Sequence, residues 1–289
     1  MQAIAFYLVY PFIYLIASLP FRVLYKLSDL LYYLFWISGY RKKVVMENLK
    51  NSFPEKNPEE IRDLGESYFR YLCDLTLETF KTMKMTEEEA RAHCVYHQPE
   101  WLNKMYEEKK SILVVMGHYG NWEWAGPSFS LESNYQLVVI YRPLSNPYFE
   151  RMLTETRTKF GTRIMPVNQT LRYMAATRKE ITATAFIADQ AASSANSYWT
   201  TFLHQDTSVF NGPGKLAVKF NYPVVFMCIQ RKKRGFYEVT PELLFDNPAS
   251  FTVEQILTTI TKRLEEEILR DPVIWLWSHR RWKHKRANS

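Results

Sequence analysis

One stretch brings a base and an acid together on a tight turn: Ser111-Ile-Leu-Val-Val-Met-Gly117-His118-Tyr-Gly120-Asn121-Trp122-Glu123-Trp124. A neutral imidazole takes a proton near neutral pH, and a carboxylate on its other nitrogen fixes the tautomer and the ring orientation. His118 and Glu123, five positions apart, have the residue types for such a pair. A second reading stays open from spacing alone. Glu123 also suits the first turn of a helix, where it answers the dipole, and His118 suits a polar turn.

The elements that must position these groups are legible nearby. Ile112 to Met116 is short, apolar and rich in β-branched residues, as a buried strand is. Gly117 and Gly120 mark a turn, and Asn121 is a good helix N-cap. The order is strand, turn, helix, with the imidazole at the carboxyl end of the strand, where open α/β sheets build their sites. Arg142 and Asp189 each directly follow a predicted strand, Leu137 to Tyr141 and Thr182 to Ala188. Each reads equally as a site residue or as a solvated loop residue.

The remaining chain alternates helices and strands. Helices are predicted over 42–50, from Pro58 past Phe80, from Thr86, over 147–160, 169–179, 213–220 and 253–270. Strands are predicted at Val95-Tyr96, 164–166, 199–203, 223–230 and 235–241, with a polar loop over 191–197. This pattern gives an α/β fold with a mixed or mostly parallel central sheet flanked by helices. His93 and His97 stand four apart, but the β-leaning residues between them argue against a shared helix face. No metal site is expected. Gly212-Pro213-Gly214-Lys215 lacks the upstream glycine of a phosphate loop, since position 209 is Val209. Neither G-x-S-x-G nor H-E-x-x-H occurs.

Composition bounds the partners. Among the 289 residues, Lys+Arg 37 against Asp+Glu 30 gives a net charge of +7, and aromatics reach 16%. Much of the excess closes the chain as His279-Arg280-Arg281-Trp282-Lys283-His284-Lys285-Arg286. Such a block suits anionic lipid, an acidic protein or nucleic acid. The interleaved Trp275, Trp277 and Trp282 could stack bases or sit at a bilayer interface. Cys73, Cys94 and Cys228 are too scattered for a disulfide framework and read as reduced core residues.

Residues 1–21 carry no charged side chain. A helix of that length approaches the roughly 30 Å hydrocarbon core of a bilayer. Either it spans, or residues 1–40 lie in the interface with Tyr7, Tyr10, Tyr14, Tyr32, Tyr33 and Trp36 at headgroup level, or they are core helices. The expected division is a membrane-anchoring or interfacial segment over 1–40 and an α/β catalytic domain over 41–289.

An ordered set of motifs resembles a known family. It comprises the apolar N-terminus, Tyr40-Arg-Lys-Lys-Val-Val-Met-Glu-Asn-Leu and Gly117-His118-Tyr-Gly-Asn121-Trp122-Glu123. It continues with Tyr141-Arg142-Pro143, Ala188-Asp189-Gln190, Asn211-Gly212-Pro213 ahead of Leu216-Ala217, and Trp277-Ser-His279-Arg280-Arg281-Trp282-Lys283. Together these resemble the late acyltransferases of lipid A biosynthesis, within the wider lysophospholipid acyltransferase group and its H-x4-D/E signature.

The resemblance implies an enzyme of the bacterial inner membrane, its catalytic domain on the cytoplasmic side. It would move a fatty acyl chain from a thioester on acyl carrier protein or coenzyme A to a lipid hydroxyl, with no cofactor beyond that co-substrate and no nucleic acid partner. It assigns His118 as base and Glu123 as its partner. Arg142, Asp189, Asn121 and Trp122 would contact substrate, and Arg142 would stabilise an oxyanion or hold a phosphate. The chain departs from the family pattern at Phe202-Leu203-His204 and at Pro223-Val224-Val225-Phe226. Those departures leave a lysophospholipid, an aminolipid or another glycolipid as alternative acceptors. A non-catalytic lipid- or nucleic-acid-binding membrane protein is the rival of a different class.

Overall fold

The computed structural model describes residues 1–192 and 197–286. The loop expected over 191–197 falls mostly outside them. The centre is a seven-stranded sheet in the order β1-β9-β8-β2-β5-β3-β4. In chain order these are β1 Cys94–Tyr96, β2 Ile112–Met116, β3 Gln136–Tyr141, β4 Arg163–Pro166, β5 Thr182–Ile187, β8 Val224–Lys233 and β9 Phe236–Phe245. All neighbouring pairs run parallel except the β8–β9 hairpin. The sheet is therefore mostly parallel and flanked by helices, as the alternating pattern predicts. A second antiparallel pair, β6 Tyr198–Phe202 and β7 Gln205–Val209, stands apart. Sequence reading finds β6 but not β7, whose Gln205-Asp206-Thr207-Ser208 is too polar to read as a strand.

Strand β2 shows why the sheet sits inside. Its residues from Ile112 to Val115 are all buried. Leu113 and Val115 pack into one apolar cluster, Ile112 and Val114 into the other. A parallel strand covered on both faces has this continuous apolar run. One face carries α4 Pro58–Lys81, α10 Gly212–Phe220 and α11 Val253–Arg270; the other carries α6 Glu100–Glu107 and α7 Trp122–Glu132. Helix α4 starts on a capping box, with Asn57 and Glu60 each satisfying the other's backbone N–H. It presents Tyr68, Tyr71, Leu75 and Glu78 at helical spacing to the interior. Helices α3 Lys42–Ser52, α5 Glu87–His93, α8 Pro147–Thr158 and α9 Thr170–Ala176 complete the layers.

The N-terminus forms two helices, α1 Gln2–Ser18 and α2 Phe21–Ser38, broken at Leu19-Pro20. Among the described residues, no helix is long and apolar enough to cross a membrane. The spanning anchor is thus corrected: α1 ends after about 25 Å, and its Phe6, Ile13 and Ala17 are buried against the body. Helix α2 is held by polar contacts as well. Tyr25 donates to Glu78 at 2.8 Å, Ser28 donates to Asp74 at 2.6 Å, and Arg234 joins Asp29 and Asp74. Tyr32, expected at headgroup level, is core. The outer sides are different: Ile4, Tyr7, Leu8, Phe12, Leu15, Leu30, Leu34 and Ile37 are each more than half exposed.

Candidate active site

Register builds the site. Strands β2 and β5 lie side by side with Met116 opposite Ile187. The ladder continues one step further, with Ala188 N donating to Met116 O at 3.2 Å. Two residues past each strand end, His118 and Asp189 therefore meet. His118 Nδ1 lies 2.6 Å from Asp189 Oδ1, and the His118 backbone N–H donates to Asp189 Oδ2 at 2.7 Å. Gly117 permits the approach, because a Cβ there would fall 2.6 Å from Leu264 and 3.0 Å from Asp189 Oδ2. Gly120 takes the left-handed conformation, φ +59°, that closes the turn.

The C-terminal segment forms the other wall. Trp275 Nε1 donates to Asp189 Oδ2 at 2.8 Å. Leu276 N donates to His118 O at 3.1 Å, and Gly120 N donates to Ile274 O at 2.9 Å, so this segment pairs with the His118 turn. Trp275 and Trp277 are buried, which removes them from any role in stacking bases or meeting a bilayer. Burial alone would raise the Asp189 pKa. The His118 imidazole, the Trp275 indole N–H and the His118 backbone N–H outweigh it and hold the carboxyl at about 2. His279 Nε2 accepts from Ala191 N at 3.1 Å. Burial, reinforced by the charges of Arg281 and Lys283, pushes the His279 pKa down to about 4, against the pull of Asp189.

Asn121 is structural rather than a surface that a substrate could touch. It is fully buried, its Oδ1 accepts from Trp124 N at 3.0 Å, and its Nδ2 donates to Glu78 Oε2 at 2.8 Å. Glu78 also accepts from Tyr25 and Tyr237, and Tyr71 Oη donates to Gly120 O at 2.6 Å, so α4 clamps the turn from below. Trp122 stands edge-on to the His118 ring, centroids 5.0 Å apart. His118 Nε2 faces the exposed Gln190 side chain at 3.3 Å.

The structure does not join Glu123 to His118. Its two oxygens accept from Arg157 on α8, at 2.6 Å from Nη2 and 3.1 Å from Nε. Arg142 is exposed at the carboxyl end of β3 and makes no hydrogen bond or ion pair among the described residues. Trp275, Glu78 and Arg157 were not singled out in the sequence as site residues. Only Glu78 carries a local signal, a carboxylate on the apolar face of an amphipathic helix. His93 and His97 are split between the end of α5 and the chain after β1, and His93 Nδ1 lies 2.6 Å from Gly235 O. The three cysteines are buried and free.

A buried carboxylate on Nδ1 of an imidazole whose Nε2 faces an exposed side chain, at the carboxyl ends of two parallel strands, is an arrangement that can serve general base catalysis. The sequence profile described as "Bacterial lipid A biosynthesis acyltransferase" matches residues 1–284. The chain belongs to that family and is an acyltransferase of lipid A biosynthesis. It is 24% identical over 247 residues to the lipid A biosynthesis palmitoleoyltransferase of Escherichia coli (strain K12), covering 84% of this chain and 79% of the relative. The same figures hold for a lipid A biosynthesis acyltransferase of Shigella flexneri.

Proposed function

We propose that the protein transfers a fatty acyl chain from a thioester, carried on acyl carrier protein or coenzyme A, to a hydroxyl of a lipid A precursor at the inner membrane surface. The observation that carries the reading is the His118–Asp189 contact in a chain of this family. His118 Nε2 takes the hydroxyl proton, and the oxygen attacks the thioester carbonyl. The tetrahedral intermediate then collapses with loss of the thiolate, which receives the proton from the imidazolium. Asp189, rather than Glu123, steadies the imidazolium. Glu123 acts through Arg157 to fix the wall that carries Trp122. Arg142, exposed at the strand edge and without an ion-pair partner among the described residues, meets a phosphate of the acceptor. No resident cofactor enters this scheme.

The exposed apolar sides of α1 and α2, with Arg22, Lys26, Arg41, Lys42 and Lys43 close by, support interfacial attachment on the cytoplasmic side. The basic surface suits an acidic carrier protein. The test is mass spectrometry of lipids from cells with the protein, without it, and with His118→Ala. Lipid A short of one acyl group in both the null and the mutant is the expected result. Unchanged lipid A beside a phospholipid or aminolipid that loses a chain would move the acceptor and keep the chemistry.

A further inference from the structure

Four cations gather round one cleft. It opens between the turn joining α2 to α3 and the C-terminal segment, with a volume of about 670 Å³. Arg41 and Lys43 stand on one side, Arg280 and Lys283 on the other, and no lining residue is acidic. All four are exposed, and among the described residues none makes an ion pair. Four like charges repel one another, and nothing in these walls offsets them. The backbone adds to the same field. Helix α3 starts at Lys42, no side chain caps its first amides, and no acid stands in its first turn. The positive end of the helix is thus unanswered where Lys43 and Val44 border the cleft. Arg41, just before the helix, is held at φ +57°, an unfavourable conformation for a residue with a Cβ.

The two sides are locked at a set separation before any ligand arrives. Asn48 Nδ2, from α3, donates to Trp277 O at 2.8 Å and to His279 O at 3.0 Å. Ser278 N donates to Tyr68 Oη at 3.0 Å. His279 lies between the cleft and the catalytic turn, with its Nε2 occupied by Ala191 N. Burial holds its pKa at about 4, so it lends the cleft no charge near neutral pH.

Converging donors without an acceptor suit a phosphate, whose several oxygens and double charge take up guanidinium, ammonium and amide groups together. No Phe, Tyr or Trp lines the cleft to stack on a nucleotide base. Beside it α2 ends in exposed apolar side chains, Leu34, Ile37 and Tyr40. A basic pocket next to an apolar surface is the arrangement that receives a lipid phosphate, charge in the pocket and chains along the surface.

We infer that this cleft is a binding site for the phosphate monoester headgroup of an anionic lipid, with Arg41, Lys43, Arg280 and Lys283 holding the phosphate and the end of α2 meeting the chains. It is a phosphate site apart from Arg142, which is not among its walls. The inference concerns binding and does not depend on acyl transfer.

The experiment is calorimetric titration of the full-length protein with dihexanoyl phosphatidate, dihexanoyl phosphatidylcholine and glycerol 3-phosphate, each below its micelle-forming concentration. Phosphatidate is expected to bind about tenfold or more tighter than either of the others. The first comparison reads the charge, and the second reads the chains. Lys43→Glu puts an acid where the α3 dipole favours one, so the variant should melt no lower than wild type. Phosphatidate binding should nonetheless fall at least to the level of phosphatidylcholine, and Arg280→Gln should weaken it severalfold. Arg142→Gln should leave it unchanged. Equal binding of phosphatidate and phosphatidylcholine overturns the inference. So does glycerol 3-phosphate binding as tightly as phosphatidate, which would give the cleft to a soluble phosphate ester. Binding that survives Lys43→Glu and is lost in Arg142→Gln would move the phosphate to the end of β3 and overturn it too. None of these readouts involves turnover, so a failure of the acyl-transfer reading leaves them unchanged.

Discussion

Asp189 grips His118 twice, once at the ring through Nδ1 and once at the backbone N–H. The second contact removes the freedom of the turn, and the first removes the freedom of the ring. With Trp275 on the same carboxylate, one buried group fixes the tautomer that leaves Nε2 ready to accept a proton.

Asp189→Asn should therefore lower turnover by about 10²–10⁴-fold with little change in KM. The folded carboxyl sits at about 2, below its ordinary value of 3.8. The sign follows: its contribution to stability is full above the unfolded value and disappears as pH falls toward 2, with a size of roughly 2 kcal/mol. Urea unfolding of wild type and Asp189→Asn at pH 7 and near pH 2 should give a gap that closes in acid. Turnover within a few-fold of wild type would remove Asp189 from the role.

Glu123 and Arg157 form a two-point ion pair that is mostly shielded from water. Removing one member leaves the other charge stranded, so Glu123→Gln and Arg157→Gln should each destabilise by about 1–3 kcal/mol. The double variant should cost less than the sum of the two. Turnover discriminates the roles. If Glu123 acts through Arg157 alone, Arg157→Gln and the double variant should each be about as slow as Glu123→Gln. If its carboxylate meets the imidazolium during reaction, Arg157→Gln, which keeps that carboxylate, should turn over faster than Glu123→Gln.

The ends of β2 and β5 were legible because apolar runs stop at Gly117 and at Asp189. Which strand lies beside which was not, since β5 enters the sheet between β2 and β3 from more than forty residues downstream. A local reading therefore pairs His118 with the nearest carboxylate in sequence, Glu123, whereas Asp189 arrives through register. Trp275 is invisible for the same reason. The basic tail misleads differently: its charge pattern reads as a surface for anionic lipid, an acidic protein or nucleic acid, but Arg281 and the neighbouring tryptophans at 275 and 277 fold inward. Helix boundaries fared better, because caps such as Asn57 with Glu60 and Thr252 with Gln255 are local chemistry.

Glu78 ties three elements to the turn, and burial raises its pKa to about 7 even though Tyr25, Tyr237 and Asn121 donate to it. A raised acid holds its proton in the folded state while the unfolded chain has lost it. Stability attributable to Glu78 thus falls as pH climbs from the unfolded value of 4.5 through 7, by roughly 3 kcal/mol. Glu78→Gln should flatten that slope in thermal melts and keep most of the activity, because an amide still accepts from Asn121. Glu78→Leu, which cannot, should lower kcat more than it raises KM. A parallel loss in both variants would show that the site needs the charge itself.

The last prediction concerns α1 and α2. Burying a side chain such as Leu or Phe in an interface contributes about 1.5–3 kcal/mol, while a carboxylate there is strongly unfavourable. Leu8, Phe12, Leu34 and Ile37 project outward and support no part of the interior. Phe12→Glu with Leu34→Glu should therefore leave the melting temperature within a few degrees of wild type. The same change should cut co-sedimentation with anionic phospholipid vesicles by tenfold or more, and turnover on vesicle-borne acceptor should fall in step. Turnover on acceptor dispersed in detergent should hold. Wild-type vesicle binding by the double variant would move the attachment surface elsewhere. Loss of activity in detergent as well would mean that these helices shape the site rather than deliver it to the lipid.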